Sequence, residues 1–236
     1  MKKIDLDSMS NLNTKLFKAC KLGGINEVKD IIEKKPNVNF QDKEGYTALM
    51  FACMYNHLEI VKLLREAGAN LDIQNENGVT ALMSACYHGN LKMATLLKDA
   101  GAKLNTRNKN GYTALMLACY HGYEEIVKLL RDAKAKLDVK DKYGDTALMV
   151  ACYCNNIKIA TLLKDAKADV NLQDRKGNTA LMWACKHGHL EMADMLKNAG
   201  ANLNLKNQEG YTALWIAYAN GFEKIEKLLI NAGAKY

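Results

Sequence analysis

The residues best suited to metal or redox chemistry are seven cysteines, six of which follow one fixed interval. These six lie 33 residues apart, at Cys20, Cys53, Cys86, Cys119, Cys152 and Cys185. Stacked helices lie about 8–10 Å apart, whereas a disulfide requires Cα atoms within roughly 7 Å. We therefore expect the six thiols to stay unpaired and to fill a small apolar column. Reduced thiols also fit an intracellular setting.

Cys154 departs from this interval and shares its column with histidines. His121, Cys154 and His187 belong to three successive periods, and imidazole nitrogen and thiolate sulfur are suitable zinc ligands. The outer two should lie roughly two interhelix spacings, about 16–20 Å, apart. Because no single ion could reach all three, we expect no bound metal. A metal between two of them, or a redox role for Cys154, stays open.

The remaining side chains offer no candidate catalytic site. The sequence has no Ser-His-Asp set, no paired-carboxylate cleft, no phosphate-binding P-loop and no glycine-rich dinucleotide loop. Its aspartates and glutamates recur with the period or scatter over faces that we expect to be solvated. We therefore predict a protein that is not an enzyme and has no cofactor.

A repeated unit positions all of these residues. Similar hexapeptides recur every 33 residues, with GYTALM at Gly45 and Gly111, GVTALM at Gly78, GDTALM at Gly144, GNTALM at Gly177 and GYTALW at Gly210. In each copy the glycine supplies a turn and the threonine, such as Thr47, caps a first helix. A second helix then carries apolar residues at spacings of three and four. A unit this small cannot bury its apolar face alone, so the copies must stack.

The period and the pattern G-x-T-A-L-x-x-A-C…L-E-I-V-K-L-L…A-G-A-N-L-D resemble ankyrin repeats over residues 12–236. The resemblance implies an all-α fold, a solenoid of stacked helix-turn-helix units with β-turn or hairpin fingers. Ala48 and Met50, with their equivalents in later copies, stand where the family usually has proline and histidine. The resemblance thus implies the same fold with thioether packing in place of histidine hydrogen bonds.

We predict seven units in a single solenoid domain after an N-terminal tail at 1–11. The N-terminal and C-terminal capping repeats span 12–44 and 210–236, and the internal repeats span 45–77, 78–110, 111–143, 144–176 and 177–209. Lys15 occupies a column that is alanine in every later copy, which suits an exposed N-terminal face. Glu226 suits a final helix with water on its outer side.

Positions that vary between copies are free to specify a partner. By the resemblance, the turn tips and one face of each first helix line a concave groove that grips partner proteins. Tyrosine recurs on that face at Tyr87, Tyr120 and Tyr153, and aromatic residues are enriched among interface hot spots. The alternative is that these rings only pack between units. The predicted partner-binding residues are Tyr46, Phe51, Tyr55, Tyr87, His88, Lys109, Tyr112, Leu117, Tyr120, His121, Lys142, Tyr143, Tyr153, Arg175, Lys176, Trp183, Lys186, His187 and Tyr211.

The charge of the chain bears on the kind of partner. The formal net charge is +7, and lysines and arginines cluster at the tips of the middle and C-terminal copies. We expect a partner protein with an acidic surface, whose binding weakens with salt. One alternative is a nucleic-acid binder that uses basic tips and tyrosine stacking, but acidic residues including Asp145 interrupt the basic stripe. Another is an engineered or consensus-like array without a natural partner.

The sequence also bears on location. It contains no run of 18 consecutive apolar residues, so we expect neither a membrane span nor a membrane partner. The start, MKKIDLDSMS, has no apolar run typical of a secretory signal. We expect a cytoplasmic monomer, or an exported effector that uses no classical signal peptide.

Overall fold

Paired helices make up the chain in a computed structural model that describes residues 6–236, with side chains from residue 12 onwards. This range contains fourteen α-helices and no β-strand. Residues 1–5 of the predicted tail lie outside the described residues. The first helix begins at Leu6, within the predicted N-terminal tail, and neither glycine nor proline interrupts residues 6–22.

The helices fall into two compact units, the first ending at Lys109 and the second beginning at Asn110. The first unit contains α1 (Leu6–Leu22), α2 (Ile25–Glu33), α3 (Ala48–Met54), α4 (Leu58–Glu66), α5 (Ala81–Tyr87) and α6 (Leu91–Asp99). The second unit contains α7 (Ala114–His121), α8 (Glu124–Asp132), α9 (Ala147–Tyr153), α10 (Ile157–Asp165), α11 (Ala180–Lys186), α12 (Leu190–Asn198), α13 (Ala213–Ala219) and α14 (Glu223–Asn231). None of the helices within residues 6–236 is long and apolar enough to cross a lipid bilayer.

A threonine hydroxyl starts the first helix of each pair from α3 onwards, as predicted. Thr47 Oγ1 accepts a hydrogen bond from Met50 N at 3.3 Å, and Thr179 Oγ1 accepts one from Met182 N at the same distance. The methionines in this column are at most 2 % exposed. The sulfur of Met182 also accepts a hydrogen bond from Thr179 N at 3.4 Å. Thioether packing therefore replaces histidine hydrogen bonds, which confirms that expectation.

The second helix of each pair supplies an apolar stripe that is shared with its neighbours. In α8 the buried residues are Ile126, Val127 and Leu130, a spacing that places them on one helical face. Burying each such side chain stabilises the fold by about 1.5–3 kcal/mol. Helix α8 contacts both α7 and α10, and α7, α9, α11 and α13 each contact the next in turn. This stacking is that of an all-α repeat solenoid, as the sequence predicts.

The six periodic cysteines are buried and free, and Cys154 is exposed and free, which confirms the expectation of unpaired thiols. Burial raises the pKa of Cys20 and of Cys185 to about 12, because the thiolate would lose its hydration. These thiols therefore stay protonated and fill space between helices.

Tight turns precede the first helices and carry several of the predicted partner-binding residues, such as Tyr143. Gly144 adopts a φ of +88°, and a Cβ at this position would lie 2.5 Å from the amide nitrogen of Arg175. The same amide donates a hydrogen bond to Tyr143 O at 2.8 Å. Glycine is therefore required both by its own backbone conformation and by the close approach of the next turn.

Candidate partner-binding site

In the first unit, Tyr46, Phe51 and Tyr55 belong to one aromatic cluster. The rings of Tyr46 and Phe51 stack with centroids 5.4 Å apart, and the ring of Phe17 lies 5.7 Å from that of Phe51. Lys21 Nζ lies 5.6 Å from the ring centroid of Phe51 and 5.8 Å from that of Tyr55. The sequence did not predict Phe17 or Lys21 as part of this cluster, because they belong to the diverged first copy.

The other predicted residues of the first unit are Tyr87, His88 and Lys109. Tyr87 is 49 % exposed, and its ring meets that of His88 edge-on at 5.1 Å. His88 Nδ1 lies 2.8 Å from the carbonyl oxygen of Ser84, which ties the imidazole to its own helix. Lys109 is exposed and donates its backbone N–H to Asn77 O at 2.9 Å.

In the second unit, five predicted residues line one pocket of about 280 Å³, which we call the aromatic pocket. Its aromatic walls and its one charged residue are Tyr112, Tyr120, Tyr143, Tyr153, Trp183 and Asp145. Met149 and Val150 of α9 complete the lining. The structure thus brings together four tyrosines and a tryptophan that the sequence predicts at the turns and on one face of the first helices.

Ring contacts fix the Trp183 side of this pocket. The Tyr153 ring meets Trp183 edge-on at 5.9 Å and His187 edge-on at 5.0 Å. His187 stacks on Trp183 at 5.8 Å, with the rings only 6° from parallel. Partial burial, and then the charges of His189 and Lys186, lower the pKa of His187 and favour its neutral form.

Asp145 is the acidic residue of the aromatic pocket, and it was absent from the predicted binding set. Its Oδ1 atom is buried and has no hydrogen-bond partner. Asp141, which is 3 % exposed, accepts hydrogen bonds through Oδ1 from Tyr143 N at 2.7 Å and from Asp145 N at 2.9 Å. Its second oxygen, Oδ2, is also buried and without a partner. Burial, and then the charges of Asp141 and Asp174, raise the pKa of Asp145 to about 6.

One signal in the sequence could have identified Asp145. The columns at 141 and 145 recur every 33 residues, and only this copy has aspartate in both. The equivalent pairs are Asp42 with Tyr46, Asn75 with Val79, Asn108 with Tyr112, Asp174 with Asn178 and Asn207 with Tyr211. Aspartate in the first column is a turn residue, but a second aspartate facing it lacks any donor of its own.

The copy that follows satisfies the same carboxylate fully. Asp174 Oδ1 accepts hydrogen bonds from the backbone amides of Lys176 and Asn178, both at 2.8 Å. Its Oδ2 accepts from Asn178 Nδ2 and from Trp183 Nε1, both at 3.2 Å. Asn178 occupies the column of Asp145, so its amide supplies the donor that a carboxylate cannot.

A second pocket of about 360 Å³ in the same unit has a different character, and we call it the lysine pocket. Its lining includes Lys176, Lys186, Asn178, Glu209, Tyr211 and Trp215. The rings of Tyr211 and Trp215 stack in parallel with centroids 3.5 Å apart. Trp215 was not predicted as a site residue, because it stands in the column that methionine occupies in the core of the preceding copies.

Leu117, His121, Lys142 and Arg175 line neither pocket. Leu117 is half-buried on α7, and Arg175 is exposed at a turn tip. Lys142 Nζ donates a hydrogen bond to Asn110 Oδ1 at 2.7 Å and lies 4.9 Å from the ring centroid of Tyr143. These residues therefore contribute charge and apolar surface outside the two pockets.

The side chains considered as metal ligands have other contacts. Cys154 Sγ lies 3.6 Å from Tyr120 O, and His121 stacks on Tyr123 at 5.7 Å. Within the part of the chain that the structure describes, no three or more histidine, cysteine, aspartate or glutamate side chains are grouped so as to hold a metal ion.

Comparison with known proteins finds ankyrin repeats along most of the chain. The family model for ankyrin repeats matches three times, over residues 16–108, 95–174 and 162–236. Among solved structures, the crystal structure of the human ASB11 ankyrin repeat domain matches with a TM-score of 0.79 and 25 % sequence identity. The match covers 94 % of this chain and 98 % of that domain. A search of curated proteins finds no match. Each family match is longer than one period, so the division into seven units stays a prediction.

Proposed function

Since the chain belongs to the ankyrin repeat family, we propose that it is a non-catalytic module that binds a partner protein through the tyrosine-bearing face of its second unit. Ankyrin repeats are generally protein-interaction modules. The observation that carries the proposal is the aromatic pocket, in which five large rings surround an open recess. Aromatic side chains with few rotatable bonds are enriched at protein interfaces.

Exposure of the rings supports binding over packing between copies alone. Tyr120, Tyr143 and Tyr153 are 55 %, 56 % and 51 % exposed. Contacts within the fold thus leave about half of the surface of each tyrosine in water. A partner that covered these rings would gain about 25 cal/mol for each Å² of apolar surface removed from water.

The lysine pocket supports a partner with acidic groups. Lys176 and Lys186 both line it, beside the stacked rings of Tyr211 and Trp215. Two ammonium groups next to an apolar platform suit a carboxylate on an otherwise apolar partner segment. Lys142 and Arg175 add positive charge at the turn tips, so we expect affinity to fall as the salt concentration rises.

The aromatic pocket argues against the nucleic-acid alternative. Its rings could stack on bases, but Asp145 lies among them. Phosphate binding requires neutralising cations, and the carboxylate pair of Asp141 and Asp145 would repel a phosphate backbone. A protein partner, which carries side chains of both signs, fits the two pockets better.

The state of the cysteines supports a reducing compartment such as the cytoplasm. All seven thiols are free. Disulfides form and persist mainly in oxidising compartments. We therefore propose that the protein works in a reducing compartment such as the cytoplasm.

The proposal is tested by comparing partner affinity between surface variants. Proteins captured by the immobilised wild type are purified and titrated against the wild type and against a Tyr120→Ala/Tyr153→Ala variant. We expect the double variant to bind at least about tenfold more weakly, the loss typical of removing interface hot spots. Tyr218→Ala is the matched control, because Tyr218 is 60 % exposed and lines neither pocket.

Two results would contradict this proposal. The first is a purified partner that binds the wild type and the double variant equally, which would exclude the tyrosine face. The second is salt-sensitive retention of single- or double-stranded nucleic acid with no protein bound directly, which would favour the alternative function.

A further inference from the structure

We infer that the aromatic pocket accepts a positively charged side chain, lysine or arginine, from the partner protein, with Asp145 as its charge partner. This inference rests on the proposed function only in assigning the side chain to a partner protein. Two features carry it: the ring walls of the pocket and the unsatisfied acidic groups at and behind its lining.

The walls of the aromatic pocket suit a cation with an apolar stem. The face of a tyrosine or tryptophan ring carries negative potential and attracts ammonium and guanidinium groups within about 6 Å of the ring centroid. Two of the five rings already attract lysines of this chain, since Lys142 Nζ lies 4.9 Å from Tyr143 and Lys186 Nζ lies 5.1 Å from Trp183. Neither lysine lines the pocket, and no other basic residue does.

The carboxylates specify the charge of the occupant. Asp145 Oδ1 and Asp141 Oδ2 are both buried without a hydrogen-bond donor. A buried acceptor left unsatisfied costs about 1–3 kcal/mol, and more if it is charged. An ammonium or guanidinium group brings only donors and a positive charge, so in the pocket it would offset the repulsion between these carboxylates.

A third carboxylate strengthens the negative potential at this point. The charge of Asp174 acts on Asp145 together with that of Asp141, and both Asp141 and Asp145 act on the phenol of Tyr112, another wall of the pocket. An anionic occupant would be repelled by Asp145 in the lining and by the charges of Asp141 and Asp174 behind it. A neutral apolar occupant would leave these charges uncompensated.

The size of the aromatic pocket suits one side chain. Its volume of about 280 Å³ lies just below the range of about 300–1,000 Å³ that is usual for drug-sized ligands. Met149 and Val150 supply apolar surface for a methylene stem. Long basic side chains characteristically bury such a stem while their charged ends find a polar partner.

The inference is tested with small probes and no partner protein. Nα-acetyl-lysine amide, its Nε-trimethylated form and Nα-acetyl-arginine amide are titrated into the isotopically labelled full chain, with Nα-acetyl-norleucine amide as the neutral analogue. The two indole N–H signals report binding, because Trp183 lines the aromatic pocket and Trp215 lines the lysine pocket. We expect the cationic probes to shift the Trp183 signal saturably and to leave the Trp215 signal unchanged.

Two variants separate the carboxylate from the rings. Asp145→Asn reproduces the residue found at 178 in the following copy and should weaken binding of the cationic probes at least about tenfold, as expected when a close charge pair is lost. Glu209→Gln removes an acidic residue of the lysine pocket and is the matched control, for which we expect no change.

The outcomes distinguish this inference from the proposed function. Equal binding of the neutral analogue, equal binding by Asp145→Asn, or no saturable shift of Trp183 with any cation would each overturn the inference. A partner whose binding depends on Tyr120 and Tyr153 would still support the proposed function in that case. Conversely, probe binding without any such partner would leave the pocket established and the proposed function contradicted.

Discussion

The turns at 141–145 and 174–178 share one backbone arrangement but differ in how their polar side chains are satisfied. In both, an aspartate at the first position accepts two backbone hydrogen bonds through Oδ1, at 2.7 and 2.9 Å for Asp141 and at 2.8 Å twice for Asp174. The Oδ2 atom of Asp174 accepts two further hydrogen bonds, whereas that of Asp141 accepts none. The backbone of the turn therefore does not require the second aspartate, Asp145, since Asn178 stands at that position in the other turn.

Two substitutions produce this contrast, because Asn178 and Trp183 both donate to Asp174 Oδ2, whereas Asp145 has no such donor and Val150 occupies the column of Trp183. Natural proteins rarely leave buried polar atoms unsatisfied, and such atoms often mark functional positions. The comparison indicates that the turn at 141–145 gives up stability that the turn at 174–178 retains. It also indicates which substitutions should convert the hydrogen bonding of one turn into that of the other.

The largest expected effect comes from giving the second turn the chemistry of the first. Asn178→Asp removes the amide donor to Asp174 Oδ2 and places a second carboxylate against it. We expect the free energy of unfolding at neutral pH to fall by about 2 kcal/mol, as for the loss of a hydrogen bond to a charged group. Urea denaturation measures this change.

Asn171→Asp is the control for the added charge. Asn171 Oδ1 accepts from Asn202 N at 2.7 Å, and an aspartate already makes the equivalent contact at Asp138, where Oδ1 accepts from Asp169 N at 3.1 Å. We expect a change within about 0.5 kcal/mol. Equal losses for the two variants would show that net charge, and not the turn, is responsible.

The reverse exchange should have a smaller effect of opposite sign. Asp145→Asn supplies an amide that can donate to Asp141 Oδ2, as Asn178 does to Asp174. We expect the free energy of unfolding at neutral pH to rise by about 1 kcal/mol, the net contribution of one hydrogen bond. A loss of stability in urea denaturation would mean that the carboxylate already has a stabilising role in the fold.

A related expected effect is the pH dependence of that gain. The pKa of Asp145 is raised from 3.8 to about 6 in the folded state, so the folded protein binds this proton more tightly than the unfolded chain. Its contribution to stability is fully present below the unfolded pKa and is lost as the pH rises through about 6. The stability advantage of Asp145→Asn over the wild type should therefore grow between about pH 4 and about pH 7 and then level off.

Urea denaturation of the two proteins across this range measures the difference directly. An advantage that stayed constant with pH would show that Asp145 has the same pKa in both states. Burial, and then the charges of Asp141 and Asp174, raise the pKa of Asp145. The turn at 174–178 provides the reference, because the equivalent residue there is Asn178, which does not titrate.

Much of the fold could be predicted because each copy repeats the same local signals. The cap at Thr47 and the buried cysteine at Cys53 follow from residue type and spacing, and the structure confirms both. The packing of Met50 follows from the resemblance to ankyrin repeats, and the structure confirms it too. The beginning of α1 at Leu6 was not predicted, because the first copy has diverged and no turn residue marks its start.

The candidate site could be predicted only in part. Variation between copies identified Tyr120, Tyr143 and Tyr153, which the structure places in one pocket. In the sequence, Asp145 only interrupts a basic stripe. Its role in the pocket could not be predicted, because sequence position alone does not reveal which side chains lie next to it. Trp215 was missed because its column is buried methionine elsewhere, whereas here the ring stacks on Tyr211 at a pocket.

The sequence by itself determined the period, the helix pairs, the capping threonines and the burial of the thiols, because all of these depend on contacts that recur in every copy. Only the tertiary structure decided which polar atoms have partners. That outcome depends on distances of about 3 Å between side chains of neighbouring turns. The carboxylate of Asp145, where the following copy has the amide of Asn178, changes it without altering the repeat.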